Sequence, residues 1–318
     1  MKIYDIAFIG MGASSLATVK LKYSDSNISI IGIDKEFNST RNNFFAFWLT
    51  DWMKSFEGLT TQKWNKWRFY NQNIDIIHES VSTPYCVIRF QDWKKYCLDD
   101  IHNFNFKENK VIKIFKDNEY YIITLDNDEK IYANKIYDSR SLEIKKEGLK
   151  QHFIGQIIKT IKPHKINIAT LMDFRVTQNE GLHFMYCLPI NENQLLVEST
   201  VFSENVLPDE WYKKQIDEFI DLKLQLKQFE VIDTERGVLP MYEIKNENTE
   251  NYINIGTRGG ATKISSGYAF SFFIKQLKSN TNYHHSYWDE WMDKIFVHFL
   301  QNNHKTEHIF IKMSQSLT

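Results

Sequence analysis

The chain is poor in the residues that staple or anchor small proteins. It has three cysteines in 318 residues, Cys86, Cys97 and Cys187. An odd number without C-x-x-C spacing fits neither a disulfide framework nor a zinc site, so no metal is expected and a reducing compartment is. No apolar run approaches the roughly 20 residues of a membrane-spanning helix. Ile3 already belongs to a strand pattern, which leaves no room for a secretory leader. The expected location is therefore cytoplasmic, with peripheral membrane contact left open. Charge of one sign is also lacking. The formal net charge is −1, and the short basic pairs Lys94-Lys95 and Lys145-Lys146 are diluted by nearby acids, so no nucleic-acid partner is expected. There is no internal repeat and no low-complexity linker.

What is present is ordinary for a globular chain: 42% hydrophobic and 25% charged residues. A chain of this length accommodates about two domains at roughly 150 residues each. Aromatic residues reach 15%, and five of the eight tryptophans (Trp48, Trp52, Trp64, Trp67, Trp93) fall between positions 48 and 93. Aromatic faces can pack a core, line a tunnel for an apolar substrate, or stabilise a cation. For most residues of the stretch 44–70, core packing is the reading adopted.

Residues 3–9 (IYDIAFI) form a short, apolar, β-branched run that predicts a buried parallel strand. Gly10-Met11-Gly12-Ala13-Ser14-Ser15 then turns into a predicted helix over 14–22. A second buried strand over 28–33 ends at Asp34. This order of strand, glycine turn, helix, strand and acid is what a dinucleotide fold requires. Glycine makes the tight turn and lets the backbone approach the diphosphate, a small residue lets helix and strand pack, and the helix N-terminus offers free N–H groups. Gly10, Gly12, Ala13 and Ser14 are accordingly diphosphate candidates. Asp34 is placed to accept from the ribose, with Lys35 beside it.

Further along, 84–90 reads as a strand, 91–101 as a helix and 110–138 as a small antiparallel meander. Strand-like runs follow at 153–158, 166–176, 183–189 and 194–202. A helix near 209–226 and strands near 229–241 come next, then a helical C-terminal region over 285–312. The segment 252–270 repeats the opening pattern: a strand, the turn Gly256-Thr257-Arg258-Gly259-Gly260-Ala261-Thr262, and a helix. Gly256, Gly259, Gly260, Ala261 and Thr262 are candidates to meet the flavin end of a dinucleotide, the simpler alternative being a helix start capped by Ser265 or Ser266. In Leu195-Leu196-Val197-Glu198-Ser199-Thr200, a half-buried Glu198 would have a raised pKa and could act as a general acid. On a strand with one wet face it would simply point outward, and strand period does not choose between the two.

Taken together these blocks resemble the bacterial lycopene cyclases of carotenoid biosynthesis. The resemblance rests on DIAFIGMGASSLA, on MDFRV (172–176), on FMYCLPINENQLLVESTVFS (184–203), on ERGVLPM (235–241) and on IGTRGGATKISSGYAF (255–270). The blocks occur in the family's order over most of residues 1–275. The resemblance implies an α/β fold of the p-hydroxybenzoate hydroxylase/glutathione reductase type. Its Rossmann-type FAD-binding domain would comprise residues 1–150 and 251–285, with substrate-side insertions near 41–100. An α+β substrate domain with an antiparallel sheet would cover 151–250, and helices 286–318.

The resemblance further implies a redox-neutral cyclisation of a polyene or other terpenoid, with FAD working reduced, NAD(P)H as a candidate reductant, and Glu198 assisting protonation of the terminal alkene. Two departures stand out. The second acid of the family's signature is Ser199 here, and the chain is shorter than typical members, which fits a different or smaller prenyl substrate. Two other readings of the same fold are a flavin monooxygenase or other oxidoreductase, and a flavin-binding protein without turnover.

Overall fold

In the opening strand, Ile6 and Phe8 point to one side and Ala7 and Ile9 to the other, and all four are buried. A strand can bury both faces only inside a covered parallel sheet, and that is where the computed structural model places it. The structure describes residues 1–25, 27–39, 43–245, 247–279, 287–302 and 306–316.

The chain begins with β1 (Ile3–Ile9), α1 (Ala13–Tyr23), β2 (Ile30–Asp34) and β3 (Phe44–Trp48), followed by a 3₁₀ segment at Asp51–Leu59. It continues through β4 (Gln62–Trp64), β5 (Lys66–Tyr70), β6 (Asp75–Glu79), β7 (Tyr85–Arg89), α2 (Phe90–Leu98) and β8 (Phe104–Glu108). The meander follows as β9 (Val111–Asp117), β10 (Tyr120–Leu125) and β11 (Lys130–Asp138). Then come β12 (Lys150–Thr160), β13 (Ala169–Asp173), β14 (Leu182–Asn191), β15 (Gln194–Ser203), α3 (Asp209–Phe219) and β16 (Phe229–Pro240). The chain closes with β17 (Tyr252–Asn254), α4 (Phe270–Lys278), α5 (Tyr287–Asn302) and α6 (Glu307–Gln315).

The first sheet runs β8-β2-β1-β11-β10-β9, with β17 added beside the end of β11. β8, β2, β1, β11 and β17 are mutually parallel. β11 serves two partners along one edge: its beginning closes the meander against β10, and its end receives β17. Helices α1, α2 and α4 cover one face through Leu16, Val19, Trp93, Phe270 and Ile274. The meander covers the other through Tyr121, Ile123 and Leu125. Trp93 is fully buried, and its indole N–H donates to the carbonyl of Ala13 at 3.2 Å. Replacing it with alanine removes both the packing and the bond, and should cost about 3–5 kcal/mol in a denaturant titration.

The second sheet, β16-β12-β15-β14-β13-β5-β6, is antiparallel except where β13 meets β5. Helix α3 lies on one of its faces, packing Tyr212, Ile216 and Phe219 on Ile154, Met185, Leu195, Val197 and Val201. The other face packs Phe184 and Phe202 against α5 and α6 and Leu196 against the small third sheet, and it also lines the site. A small third sheet, β3-β7-β4, stands between the two larger ones.

Several elements differ from the sequence reading. The stretch 41–75 has no clean period because it packs three short strands and a 3₁₀ segment into different surroundings, each too short to develop one. α3 stops at Phe219 and continues as a π-turn over Ile220–Leu224, ended by Gln225 in the left-handed region. After the second glycine turn the helix begins only at Phe270, with Ala269 at its start and no side-chain cap, so Ser265 and Ser266 do not cap it. The C-terminal region is two helices, α5 and α6. No helix of the described residues is long and apolar enough to cross a membrane.

Candidate active site

A cavity of about 680 Å³ opens between the N-terminus of α1 and the face of the second sheet opposite α3. At one end it is lined by Gly12, Ala13 and Ser14. Gly12 starts α1 in an extended conformation with φ −77°, no side chain caps the helix, and the first turn contains no acid. The N–H groups of that turn, with the positive end of the helix dipole, therefore face the cavity without a competing anion. A Cβ built on Gly12 would meet nothing within 4 Å, so the space before the helix is open ground. Gly256 lines the same end. It holds φ +62°, and a Cβ there would come within 2.5 Å of Ser14 Oγ. Asn43 Oδ1 and Gln151 Oε1 are buried without a hydrogen-bond partner among the described residues. Both residues line the cavity. Buried polar atoms of this kind need a partner, and a polar cofactor filling the cavity would provide one.

The other cofactor candidates sit elsewhere. Gly10, at φ +81°, makes the tight turn, and its missing Cβ leaves room for Ser139 Oγ, which would otherwise lie 2.8 Å away. Asp34 accepts from the backbone N–H of Met11 at 2.7 Å and from that of Glu36 at 2.8 Å, so in this structure it braces the glycine turn. Lys35 is exposed and paired with Glu36. Gly259, Gly260 and Thr262 line a separate cavity of about 500 Å³, and Ala261 is buried in the core. Of the second glycine segment, Gly256 and Thr257 face the main cavity. The sequence reading did not single out Thr257, Gly267 and Ala269, which line that cavity as well.

Strand period decides the fate of Glu198. Residues alternate faces along β15, so Val197, Ser199 and Val201 go under α3, while Leu196, Glu198 and Phe202 face the cavity. Ser199 is fully buried, and its hydroxyl bonds His183 Nε2 at 2.9 Å. Residue 199 therefore points away from the cavity, and an acid there could not share a pocket with Glu198. Thr200 donates its hydroxyl to Glu198 Oε1 at 2.5 Å.

The register then lines up one row across four strands: Tyr186 on β14 opposite Glu198, Glu198 opposite Gly155 on β12, and Gly155 opposite Glu235 on β16. Tyr186, Glu198 and Glu235 all line the cavity. Gly155 lacks the Cβ that would press on Glu235 at 3.1 Å. Burial is the largest cause pushing both carboxyls up from 4.5 into the neutral range, and for Glu235 the charge of Glu198 adds to it.

Around this row stand three phenols. Tyr85 Oη lies 2.8 Å from Tyr186 Oη and 2.7 Å from Tyr268 Oη. Burial raises all three above the ordinary phenol value, so they stay protonated. Trp48 packs on Tyr85 and Tyr268 with ring centroids 4.8 and 5.5 Å apart. Of the aromatic stretch 44–70, Phe44, Phe45, Trp48 and Phe69 line the cavity, whereas Phe47, Phe56 and Trp64 are core residues. The sequence reading missed Glu235 and the phenol trio. Their partners are distant in the chain, and the only local signal was that Glu235, Tyr186 and Tyr268 each fall within a block of the family resemblance. The site thus joins a helix N-terminus fit for a diphosphate to a protonatable carboxyl pair inside an aromatic wall.

Comparison with known proteins agrees with this arrangement. The sequence profile of the lycopene cyclase protein family matches residues 5–282. A lycopene beta-cyclase of Pantoea ananas is 23% identical over 216 residues, 65% of this chain and 54% of that protein. One from Paracoccus sp. is 33% identical over 84 residues, 26% of this chain and 22% of the other. The chain thus matches about half the length of the first relative and less of the second. Among solved structures, a geranylgeranyl bacteriochlorophyll reductase-like protein from Thermoplasma acidophilum superposes with a TM-score of 0.67 at 13% identity, covering 99% of this chain and 88% of the other. A variant of the halogenase PltM in complex with FAD superposes with a TM-score of 0.60 at 10% identity, covering 99% and 73%. The fold is therefore that of the Rossmann-type FAD-binding proteins.

Proposed function

This chain belongs to the lycopene cyclase protein family, and from that premise we propose that it is an FAD-dependent cyclase or isomerase of a polyene or other terpenoid. The observation that carries the reading is Glu198: a carboxyl kept protonatable near neutral pH by burial, in an aromatic-lined cavity that begins at an uncapped helix N-terminus. FAD fits the residues present. The N–H groups of the first turn of α1, with Gly12, Ala13 and Ser14, would hold its diphosphate, and the partnerless amide oxygens of Asn43 and Gln151 would offer polar contacts to the rest. When bound and reduced, with NAD(P)H as an external reductant, FAD supplies an electron-rich neighbour to positive charge.

The chain's own groups do the remaining work. An alkene is a weak base, so its protonation needs a neutral acid away from water, and Glu198 is placed as that acid. Thr200 fixes one of its oxygens. Trp48, Tyr85 and Tyr268 present ring faces to a developing cation, each worth about 0.5–2 kcal/mol when desolvated. The apolar walls of Phe44, Phe45, Phe69 and Phe184 exclude the water that would quench it. Ring closure and proton loss then leave a product of unchanged mass.

The reading is tested by a visible spectrum of the purified protein, followed by anaerobic reduction and incubation with lycopene or shorter polyprenoids. Flavin absorbance and a cyclised isomer are expected. A product heavier by oxygen, or reductant consumed in proportion to product, would move the protein to the oxidoreductases of this fold. A protein that takes up no FAD on reconstitution would end the reading.

A further inference from the structure

The family signature has no second acid in this chain, and residue 199 faces away from the cavity in any case. A second carboxyl nevertheless reaches the site from another strand. Glu198 and Glu235 flank Gly155 in one row, two strand spacings apart, which is about 10 Å between their backbones. Residues directly paired in an antiparallel sheet project to the same face, and both side chains line the one cavity. Gly155 leaves the gap between them unfilled, and Glu235 leans into it. The charges and titratable groups facing the pair are Tyr186 and Tyr268, which feel Glu198, and Asp233, which lies two residues from Glu235 and pushes it upward. Thr200 is the hydroxyl donor to Glu198. Among the described residues lining the cavity the one cation is Arg140, and it is held in an ion pair with Asp138.

We propose that Glu235 is the proton-sharing partner of Glu198, completing a carboxyl pair that gives one proton to the substrate and takes one back. The chemistry rests on the cyclase reading above. In the forward step the O–H bond of Glu198 breaks and a C–H bond forms at the terminal alkene carbon. The π pair of a second alkene then closes the ring C–C bond and moves the positive charge into the ring. A ring C–H bond next to that charge breaks, its electrons become the ring double bond, and its proton returns to the pair. Atoms and electrons balance without an oxidant or reductant. Between the two transfers both carboxylates face the cation, so the pair also supplies counter-charge.

A like charge nearby raises the pKa of a carboxyl, and its removal lowers it. Glu235→Gln should therefore move the alkaline limb of kcat/KM down by about one pH unit or more. kcat at neutral pH should fall at least tenfold with KM little changed, and Glu235→Asp should restore part of it. Independently of activity, the infrared band of protonated carboxyl in the apoprotein, followed across pH in Glu235→Gln, should show Glu198 ionising at lower pH than in wild type. An unmoved infrared titration, or wild-type turnover with an unmoved alkaline limb, would overturn the pairing. Failure of the cyclase reading looks different: the wild type would give no isomer from any polyene, while the infrared titration still judged the pair.

Discussion

Glu198→Gln is expected to lower kcat by at least about 10²–10⁴-fold, the range attributed to a positioned acid, while FAD stays bound. The amide keeps the shape and the hydrogen bond from Thr200 but has no proton to give. Flavin absorbance and flavin affinity serve as the control, because Glu198 lies on β15 while the candidate diphosphate ground lies on α1. Turnover at the wild-type rate would remove Glu198 from the chemistry. The same substitution should affect stability in the opposite direction. A carboxyl whose folded pKa is raised above its unfolded value of 4.5 contributes fully below that value, and its contribution is lost as pH rises through the folded pKa. At pH 8 wild-type Glu198 is thus a cost, and the glutamine apoprotein should be the more stable by about 1–2 kcal/mol in urea, a figure discounted for the cavity's access to solvent. At pH 4 the two should match. Loss of activity with gain of stability is the pattern expected of a group retained for chemistry.

Gly12→Asp should separate folding from cofactor binding as sharply. The backbone at residue 12 is extended, and a Cβ there meets nothing, so the fold has no steric objection. Aspartate is moreover a favoured helix N-cap, replacing a glycine that offers no side-chain bond, and the apoprotein should gain a few tenths of a kcal/mol. FAD affinity, by contrast, should fall by more than about 100-fold, or about 2.8 kcal/mol. The new carboxylate takes the N–H groups and the ground in front of α1, and it repels a diphosphate. Fluorescence titration with FAD and thermal unfolding of the same sample measure both. Undiminished FAD affinity would show that the diphosphate does not lie at α1.

Why the opening of the fold was readable and part of the site was not comes down to which forces are local. β1, α1 and β2 announce themselves locally, by an unbroken apolar run and by a glycine turn that only a few backbone conformations satisfy, although β1 is completed by β11 from far along the chain. The family blocks brought attention to Glu198, but strand period alone could not say which face of β15 was covered. That was settled by α3, whose apolar side takes Val197 and Val201 and leaves residue 198 to the cavity. Glu235 was harder still. β16 mixes charged with apolar residues and is half-exposed or exposed up to Leu239, so its sequence gives no sign that residue 235 faces a cavity. Its role follows from the register with β12, which no local pattern specifies. Gly259 and Gly260 show the converse. A glycine-rich turn looks like a cradle, yet at these positions it faces a different cavity from Gly256.

The row Tyr186–Glu198–Gly155–Glu235 also has a kinetic meaning. Its members come together only when β12 has found β15 and then β16, and when β13 has docked on β5 from early in the chain. Pairings between segments so far apart are paid for in loop-closure entropy before they are rewarded, and they form slowly. The first sheet is no more local, since β1 pairs with β11 and β11 with β17 across more than 100 residues, so both halves of the molecule close late. Until then Phe184, Phe202 and Trp48 stand uncovered in a partly folded chain, which is when a protein of this kind is most prone to self-association.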